Sequence, residues 1–199
     1  MYSVIRIITI IGLLSISNTL YAQKTNNNNN NNSLEVGVLG AGDESLYYGG
    51  YSKFIVPLSN KTNYFTISFA LTAYFDFKGE SEPNAYLVDD IDMRLIPTVN
   101  FGYSLNFNKV QLNFEVPIGL SYAHTRGTLV NERIGFERDY SNNEVFFNYG
   151  FSFSPKYKIN NSNSIGLTTF LPFIKDKAQS GYQIGIGWTK NFANNVYKK

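Results

Sequence analysis

Large apolar and polar residues alternate along most of the chain after residue 33. The clearest case is the stretch VQLNFEVPIGLSYAH, from Val110 to His124. Its even-numbered residues before His124 are large and apolar or aromatic, and its odd-numbered residues are small or polar, apart from Pro117. A period of two residues is typical of a β-strand with one apolar and one polar face. The alternation alone does not say which face lies inside the molecule.

Eight stretches of this kind predict eight strands, and no window has a helical period. The predicted strands are 34–40, 45–58, 64–77, 91–106, 110–124, 144–158, 164–174 and 181–192. Strands of globular proteins usually have about 5 or 6 residues, and most of these runs are far longer. A tilted strand that crosses a bilayer needs about 9 to 11 residues, so the lengths favour a membrane barrel.

The connections between the predicted strands alternate between short and long. The short ones are 59–63, 107–109 and 159–163, and the longer ones are 41–45, 78–90, 124–143 and 175–180. Short turns at one end and longer loops at the other are characteristic of outer-membrane barrels, whose short turns face the periplasm. We therefore predict an all-β fold, an eight-stranded antiparallel up-and-down transmembrane β-barrel. Five prolines fall in or at the ends of these strands, and we interpret them as bulge or bend sites: Pro57, Pro97, Pro117, Pro155 and Pro172.

The N-terminal segment has the layout of a secretory signal peptide. Arg6 precedes a short apolar run, which is followed by small polar residues and Ala22. We predict a signal peptide over 1–22 and an Asn-rich disordered linker over 23–33. The barrel is predicted over 34–193, and a basic tail over 194–199.

Composition narrows the function classes. The chain has 199 residues, no cysteine and a net charge of +2, so disulfides and thiolate metal sites are excluded and nucleic acid is not an expected partner. Aromatic residues make up 16% of the chain. Mean hydropathy is −0.19, which argues against a helical membrane protein but not against a barrel, since half of each barrel strand is polar.

The signal peptide with its Ala22-Gln23 junction, the eight alternating strands and the asymmetric connections resemble the small, OmpX-like outer-membrane β-barrel proteins of Gram-negative bacteria. The junction and the Asn-rich composition are most similar to members from Bacteroidetes. The resemblance spans residues 34 to 192 and rests on architecture, not on a short motif. It implies a monomer in the cell outer membrane, with outer-membrane lipid, lipopolysaccharide and the barrel-assembly machinery as partners.

Four charged residues are predicted to face the barrel lumen as a charge network: Glu35, Lys53, Arg94 and Glu115. The interior of an eight-stranded barrel is only wide enough for side chains to fill it, and an unpaired charge there is costly. We expect ion pairs that plug the lumen and leave at most a narrow channel. The alternative is an ion or proton path.

Charges outside this network separate by end of the barrel. Lysines are predicted at the short-turn end, at positions 61, 109, 156, 158, 190, 198 and 199. Acidic residues crowd the long-loop end, with Asp76 and Asp92 placed near the outer mouth of the lumen.

Catalytic chemistry finds little support. Some eight-stranded outer-membrane barrels are lipid A deacylases with a His-x-Ser pair, but here Arg126 stands two residues after His124, which is the only histidine. We predict no catalytic residue, no metal site and no cofactor. The loop 124–143 contains alternating pieces of its own, so it is either an inert surface loop or a hairpin that binds a protein partner by β-augmentation.

The main functional hypothesis is therefore a non-enzymatic outer-membrane barrel with a structural or surface-interaction role. One alternative is a carrier or channel for small hydrophobic ligands, either an OmpW-like membrane barrel or a soluble lipocalin-like barrel. A lipid A-modifying enzyme is the third hypothesis.

Overall fold

The computed structural model describes residues 31–42, 46–59, 62–76, 81–82, 85–131, 133–173 and 182–192. Its strands are β1 (Ser33–Gly42), β2 (Leu46–Pro57), β3 (Tyr64–Asp76), β4 (Ser81–Glu82), β5 (Ala85–Phe107), β6 (Val110–Asn131), β7 (Phe136–Lys158), β8 (Asn163–Pro172) and β9 (Tyr182–Asn191). No helix in these ranges is long and apolar enough to cross a membrane. The predicted signal peptide, most of the linker and the C-terminal tail lie outside the described residues.

Eight long strands form one closed antiparallel sheet. The neighbours run in the order β3-β2-β1-β9-β8-β7-β6-β5, and pairing between β3 and β5 closes the circle. The short β4 pairs only with the first residues of β5. The predicted eight-stranded antiparallel barrel is therefore confirmed. Closure gives the wall of the barrel no free strand edge.

The predicted short turns lie together at one end of the barrel. β5 ends at Phe107 and β6 begins at Val110, with Asn108 in a left-handed conformation at φ 35°. Asparagine is one of the residues that tolerate this conformation in a tight turn. We call this end of the barrel the short-turn end, and the opposite end the long-loop end.

Two of the predicted long loops are largely strand. Residues 85–90, predicted as loop, belong to β5, and the predicted loop 124–143 is the continuation of β6 and the beginning of β7. Its register is continuous from His124 paired with Asn143 to Asn131 paired with Phe136. Residues 124–143 thus form a hairpin, and the binding of a protein partner there stays a prediction. Together with residues 85–93 of β5, the two extensions form what we call the protruding sheet.

For the prolines within strands, the interpretation as bulge sites was wrong, and the interpretation as bend sites stays a prediction. At Pro97, Pro117 and Pro155 the register is the same on both sides of the proline. Pairing is lost only with one neighbouring strand, and the other side of each proline stays paired. The reason is that proline lacks one N–H, and each strand residue directs its N–H towards a single neighbour. Among the described strands the register shifts only between Val88 and Ile91.

Burial reverses the usual arrangement of a globular protein. Along β6, Asn113, Glu115 and Ser121 are buried, whereas Val116, Ile118 and Leu120 are exposed. Every long strand contributes exposed large apolar or aromatic side chains, among them Val38, Tyr48, Phe69, Phe101, Leu120, Phe147, Leu167 and Ile184. The polar face therefore lines the lumen, and the apolar face forms the outer surface of the barrel.

Candidate functional site

A cluster of buried ion pairs crosses the middle of the lumen. Lys53 on β2 donates to Oε2 of Glu115 on β6 across 2.8 Å, and its Nζ lies 3.6 Å from Oε2 of Glu35. Oε1 of Glu115 accepts a hydrogen bond of 3.1 Å from Ser68. The side chains of Lys53 and Glu35 are at most 4% exposed. Three of the four predicted lumenal charges are thus brought together.

Lys156 is a member of this cluster that the sequence analysis placed elsewhere. It was predicted at the short-turn rim, but the structure buries it in the lumen, where its Nζ lies 2.5 Å from Oε2 of Glu35. It also donates to Thr189 at 3.1 Å. The alternation along β7 could have predicted this position, because Lys156 lies on the same face of the strand as Ser152 and Ser154, which point into the lumen.

Glu35 has more ion-pair and hydrogen-bond partners than any other residue of this cluster. Besides the two lysines, Tyr51 donates to its Oε1 at 2.7 Å and Thr168 at 3.1 Å. A buried carboxylate is stable only when its charge is paired and its oxygens accept hydrogen bonds. Two carboxylates, Glu35 and Glu115, face two ammonium groups, Lys53 and Lys156. We call these four residues the ion-pair cluster, and it is neutral as a whole.

Arg94 lies apart from the ion-pair cluster, closer to the long-loop end. Its Nη2 donates to the hydroxyl of Tyr47 at 2.6 Å and lies 3.3 Å from Oδ2 of Asp92. Its guanidinium also stacks over the Tyr47 ring, with 4.5 Å between Cζ and the ring centroid. Arg94 and Asp92 therefore form a second charged group near the long-loop end, the end at which Asp92 was predicted. The side chain of Asp76 is not among those described.

An apolar layer separates these two charged groups, and the sequence analysis did not foresee it. It consists of Leu39, Ala41, Tyr74 and Ile96, which are buried and form one cluster with Tyr47 and Tyr51. Of these four side chains only that of Tyr74 carries a polar group, its hydroxyl. Leu39 has the same parity as Glu35, and Ile96 the same parity as Arg94, so all face inwards. These apolar residues at lumenal positions interrupt the polar face of their strands, and this is the signal by which the layer could have been found.

Two cavities flank the ion-pair cluster. The larger, of about 360 Å³, opens at the short-turn end and is lined by Thr66, Gln111, Asn113, Glu115 and Lys156, among others. The smaller, of about 60 Å³, lies between the ion-pair cluster and the apolar layer and is lined by Lys53, Glu115, Leu39 and Ile96, among others. We call them the vestibule and the inner cavity.

His124 lies on the outer face of the protruding sheet. Its Nδ1 is 2.8 Å from Oδ1 of Asn143. With Arg126, Asp139 and Ser141 it lines a shallow cavity of about 650 Å³. Ser141 thus lies nearer to the histidine than its place in the sequence suggests, but the His124 ring has no hydrogen bond with it. A serine nucleophile requires a base within hydrogen-bond reach, so this arrangement does not form a catalytic pair.

The protruding sheet has an open edge along β7. Pairing between β7 and β8 ends at Gly150 and Pro172, so residues 136–148 of β7 pair with β6 alone among the described strands. Tyr149 accepts a hydrogen bond from Phe173 through its carbonyl oxygen. Odd-numbered residues of β7 therefore direct their backbone groups away from β6 and towards this edge.

Comparisons with known proteins find the same fold but no close relative. No protein-family model and no curated protein matches the chain. The attachment invasion locus protein Ail of Yersinia pestis superposes with a TM-score of 0.54 at 12% identity, over 82% of this chain and 99% of Ail. The structure of Ail in a phospholipid bilayer nanodisc, in which Ail is described as an outer membrane protein, gives a TM-score of 0.45 at 16% identity. That comparison covers 82% of this chain and 99% of Ail. The N-terminal β-barrel domain of Pseudomonas aeruginosa OprF gives a TM-score of 0.40 at 17% identity, over 81% of this chain and 98% of that domain.

The chain has the fold of a small outer-membrane barrel. At these identities the likeness concerns the fold and assigns no activity. In the described ranges no group of three or more histidine, cysteine, aspartate or glutamate residues could hold a metal ion.

Proposed function

We propose that this chain is an integral outer-membrane β-barrel protein with a structural and surface-interaction role. The observation that carries the proposal is the apolar outer surface, which runs around all eight long strands while charged and polar groups line much of the lumen. Such a surface is unfavourable in water because contiguous exposed apolar area drives association. In a bilayer the same surface contacts acyl chains, and the closed sheet satisfies the backbone groups internally.

The orientation we propose has the short-turn end in the periplasm and the protruding sheet outside the cell. It rests on the short turns between β2 and β3, β5 and β6, and β7 and β8, and on the predicted signal peptide. On composition and the Ala22-Gln23 junction alone, we place the source in Bacteroidetes. Lipid, lipopolysaccharide and the barrel-assembly machinery are the partners that this location implies.

The surface-interaction role rests on the open edge of β7. An extended segment of a partner protein could add to residues 137–147 by β-augmentation, since main-chain hydrogen bonds supply the affinity in that mode.

The membrane part of the proposal is tested by fractionation of cells that express the chain. We expect the protein in the outer-membrane fraction and a shift of apparent mass between unboiled and boiled samples on gels. Recovery in the soluble periplasm would contradict the proposal.

The edge is tested by a peptide selection. A phage-displayed library of random extended peptides is selected on the wild-type protein in lipid nanodiscs and then measured against two variants. Ser141→Pro removes a backbone N–H that points out of the open edge, and we expect the pairing with β6 to remain. Pro155, an odd-numbered residue of the same strand, is itself paired with β6. Selected peptides should lose binding to Ser141→Pro and keep it with Ser141→Ala. Equal binding to both variants would contradict strand addition.

The two other hypotheses find less support. A carrier or channel for small hydrophobic ligands, whether an OmpW-like membrane barrel or a soluble lipocalin-like barrel, needs an apolar interior. This lumen instead holds the ion-pair cluster. A lipid A-modifying enzyme needs an activated nucleophile, and His124 has only Asn143 as its hydrogen-bond partner among the described residues.

A further inference from the structure

The lumen is built in layers from one end to the other. From the short-turn end they are the vestibule, the ion-pair cluster, the inner cavity, the apolar layer and the Arg94 group. Glu115 lines both the vestibule and the inner cavity. The ion-pair cluster therefore has open space on both of its sides.

Two asparagine side chains lie among the apolar, polar and charged groups that line the inner cavity. Asn100 and Asn148 line it, are 4% and 2% exposed, and each has an amide oxygen without a hydrogen-bond partner among the described residues. A buried polar group without a partner costs about 1 to 3 kcal/mol. Buried polar groups in folded proteins are usually satisfied by protein or by water.

The inner cavity has room for water. A volume of about 60 Å³ exceeds the roughly 10 to 15 Å³ that one water molecule needs on this measure. Water there would donate to the amide oxygens of Asn100 and Asn148 and would also border the carboxylate of Glu115.

We infer that water enters the lumen from the short-turn end, passes the ion-pair cluster and stops at the apolar layer, which is the permeability barrier of the barrel. The charged residues hold strands together but do not exclude water, because water solvates charges. In this layer the side chains of Leu39, Ala41 and Ile96 offer water no hydrogen bonds and the Tyr74 hydroxyl is the single polar group. A narrow, largely apolar constriction blocks conduction by dewetting. This inference goes beyond the proposed surface role and moves the barrier away from the ion pairs.

The first experiment measures proton flux into vesicles that contain the purified protein and a trapped pH-sensitive dye. Ile96→Ser places a hydroxyl in the apolar layer and should raise the flux several-fold above that of the wild type. Ile118→Ser makes the same exchange on the outer face of β6, where Ile118 is exposed, and should leave the flux unchanged.

The comparison that decides the matter is a double variant of the ion-pair cluster. Lys53→Met combined with Glu115→Leu removes both partners of one pair and should leave the flux at the wild-type level. The inference would be overturned if the double variant raised the proton flux and Ile96→Ser left it at the wild-type level. Folding of each variant is checked by the gel shift on boiling.

A second measurement uses the wild-type protein and does not depend on any variant. Magnetisation transfer from water to side-chain amides is recorded by NMR in detergent micelles or nanodiscs. The amides of Asn100 and Asn148 should receive transfer from water, since both line the inner cavity. Absence of transfer at both residues would overturn the proposed wetting even if the barrel is an outer-membrane protein.

Discussion

The ammonium group of Lys53 lies 2.8 Å from Oε2 of Glu115, although β2 and β6 are not neighbouring strands of the barrel. This pair spans the lumen and connects opposite parts of the wall. Backbone pairing joins only adjacent strands, so such cross-lumen contacts fix which side chains fill the interior.

Replacing one member of this pair should destabilise the barrel more than replacing both. Glu115→Leu leaves Lys53 buried with only the more distant Glu35, and breaking a buried pair costs about 3 to 5 kcal/mol. The double variant Lys53→Met with Glu115→Leu should recover much of that loss. The measurement is the free energy of unfolding in urea in lipid vesicles, as a double-mutant cycle. Additive losses would mean that the two residues do not interact.

Lys156 should matter for stability although it lies close to a short turn in sequence. Lys156→Met removes the donor to Glu35 and Thr189, and we expect a loss of about 3 kcal/mol or more. Lys109→Met is the matched control, because Lys109 is exposed in its turn and such substitutions usually change stability by less than about 0.5 kcal/mol. Equal effects in urea unfolding would place Lys156 outside the lumen.

Gly187 is expected to accept no side chain. A Cβ there would collide with the hydroxyl of Tyr51 and would lie 2.9 Å from Oε1 of Glu35, whereas a Cβ at Gly40 meets only a carbonyl oxygen at 3.8 Å. Gly187→Ala should cost about 1 to 3 kcal/mol by overpacking, and Gly40→Ala should be nearly neutral. Thermal unfolding of the two variants, followed by the gel shift, measures the difference. Equal midpoints would show that Tyr51 can move aside freely.

Trp188, the only tryptophan, reports on the outer face. It lies on β9 and is 46% exposed, so in a bilayer its indole should contact lipid. Lipids brominated on their acyl chains should quench its fluorescence strongly, and acrylamide in the aqueous phase should quench it weakly. The reverse order would place this face in water and would contradict the membrane proposal.

Much of the architecture follows from the sequence because each strand residue faces the side opposite to its neighbour. Alternation predicted the eight strands, and parity correctly grouped Asn113, Glu115 and Ser121 on one face of β6. The hairpin over 124–143 was one of two readings, since a short alternating piece is also found in irregular loops. The pairing of residues 124–131 with residues 136–143 in the structure decides between the two readings.

The composition of the lumen depends on the tertiary structure. Alternation assigns each charged residue to one face of its own strand: Glu35, Lys53, Arg94, Glu115 and Lys156. Whether two of them meet across the lumen depends on how far each strand is shifted along its neighbours in the closed barrel. That displacement brings Lys156 to Glu35, 121 positions apart, and holds Arg94 with Asp92 nearer the long-loop end. The sequence by itself determined the strands and their two faces through local backbone geometry. The closed register decided the heights of the lumenal side chains, and with them the ion-pair cluster and the apolar layer.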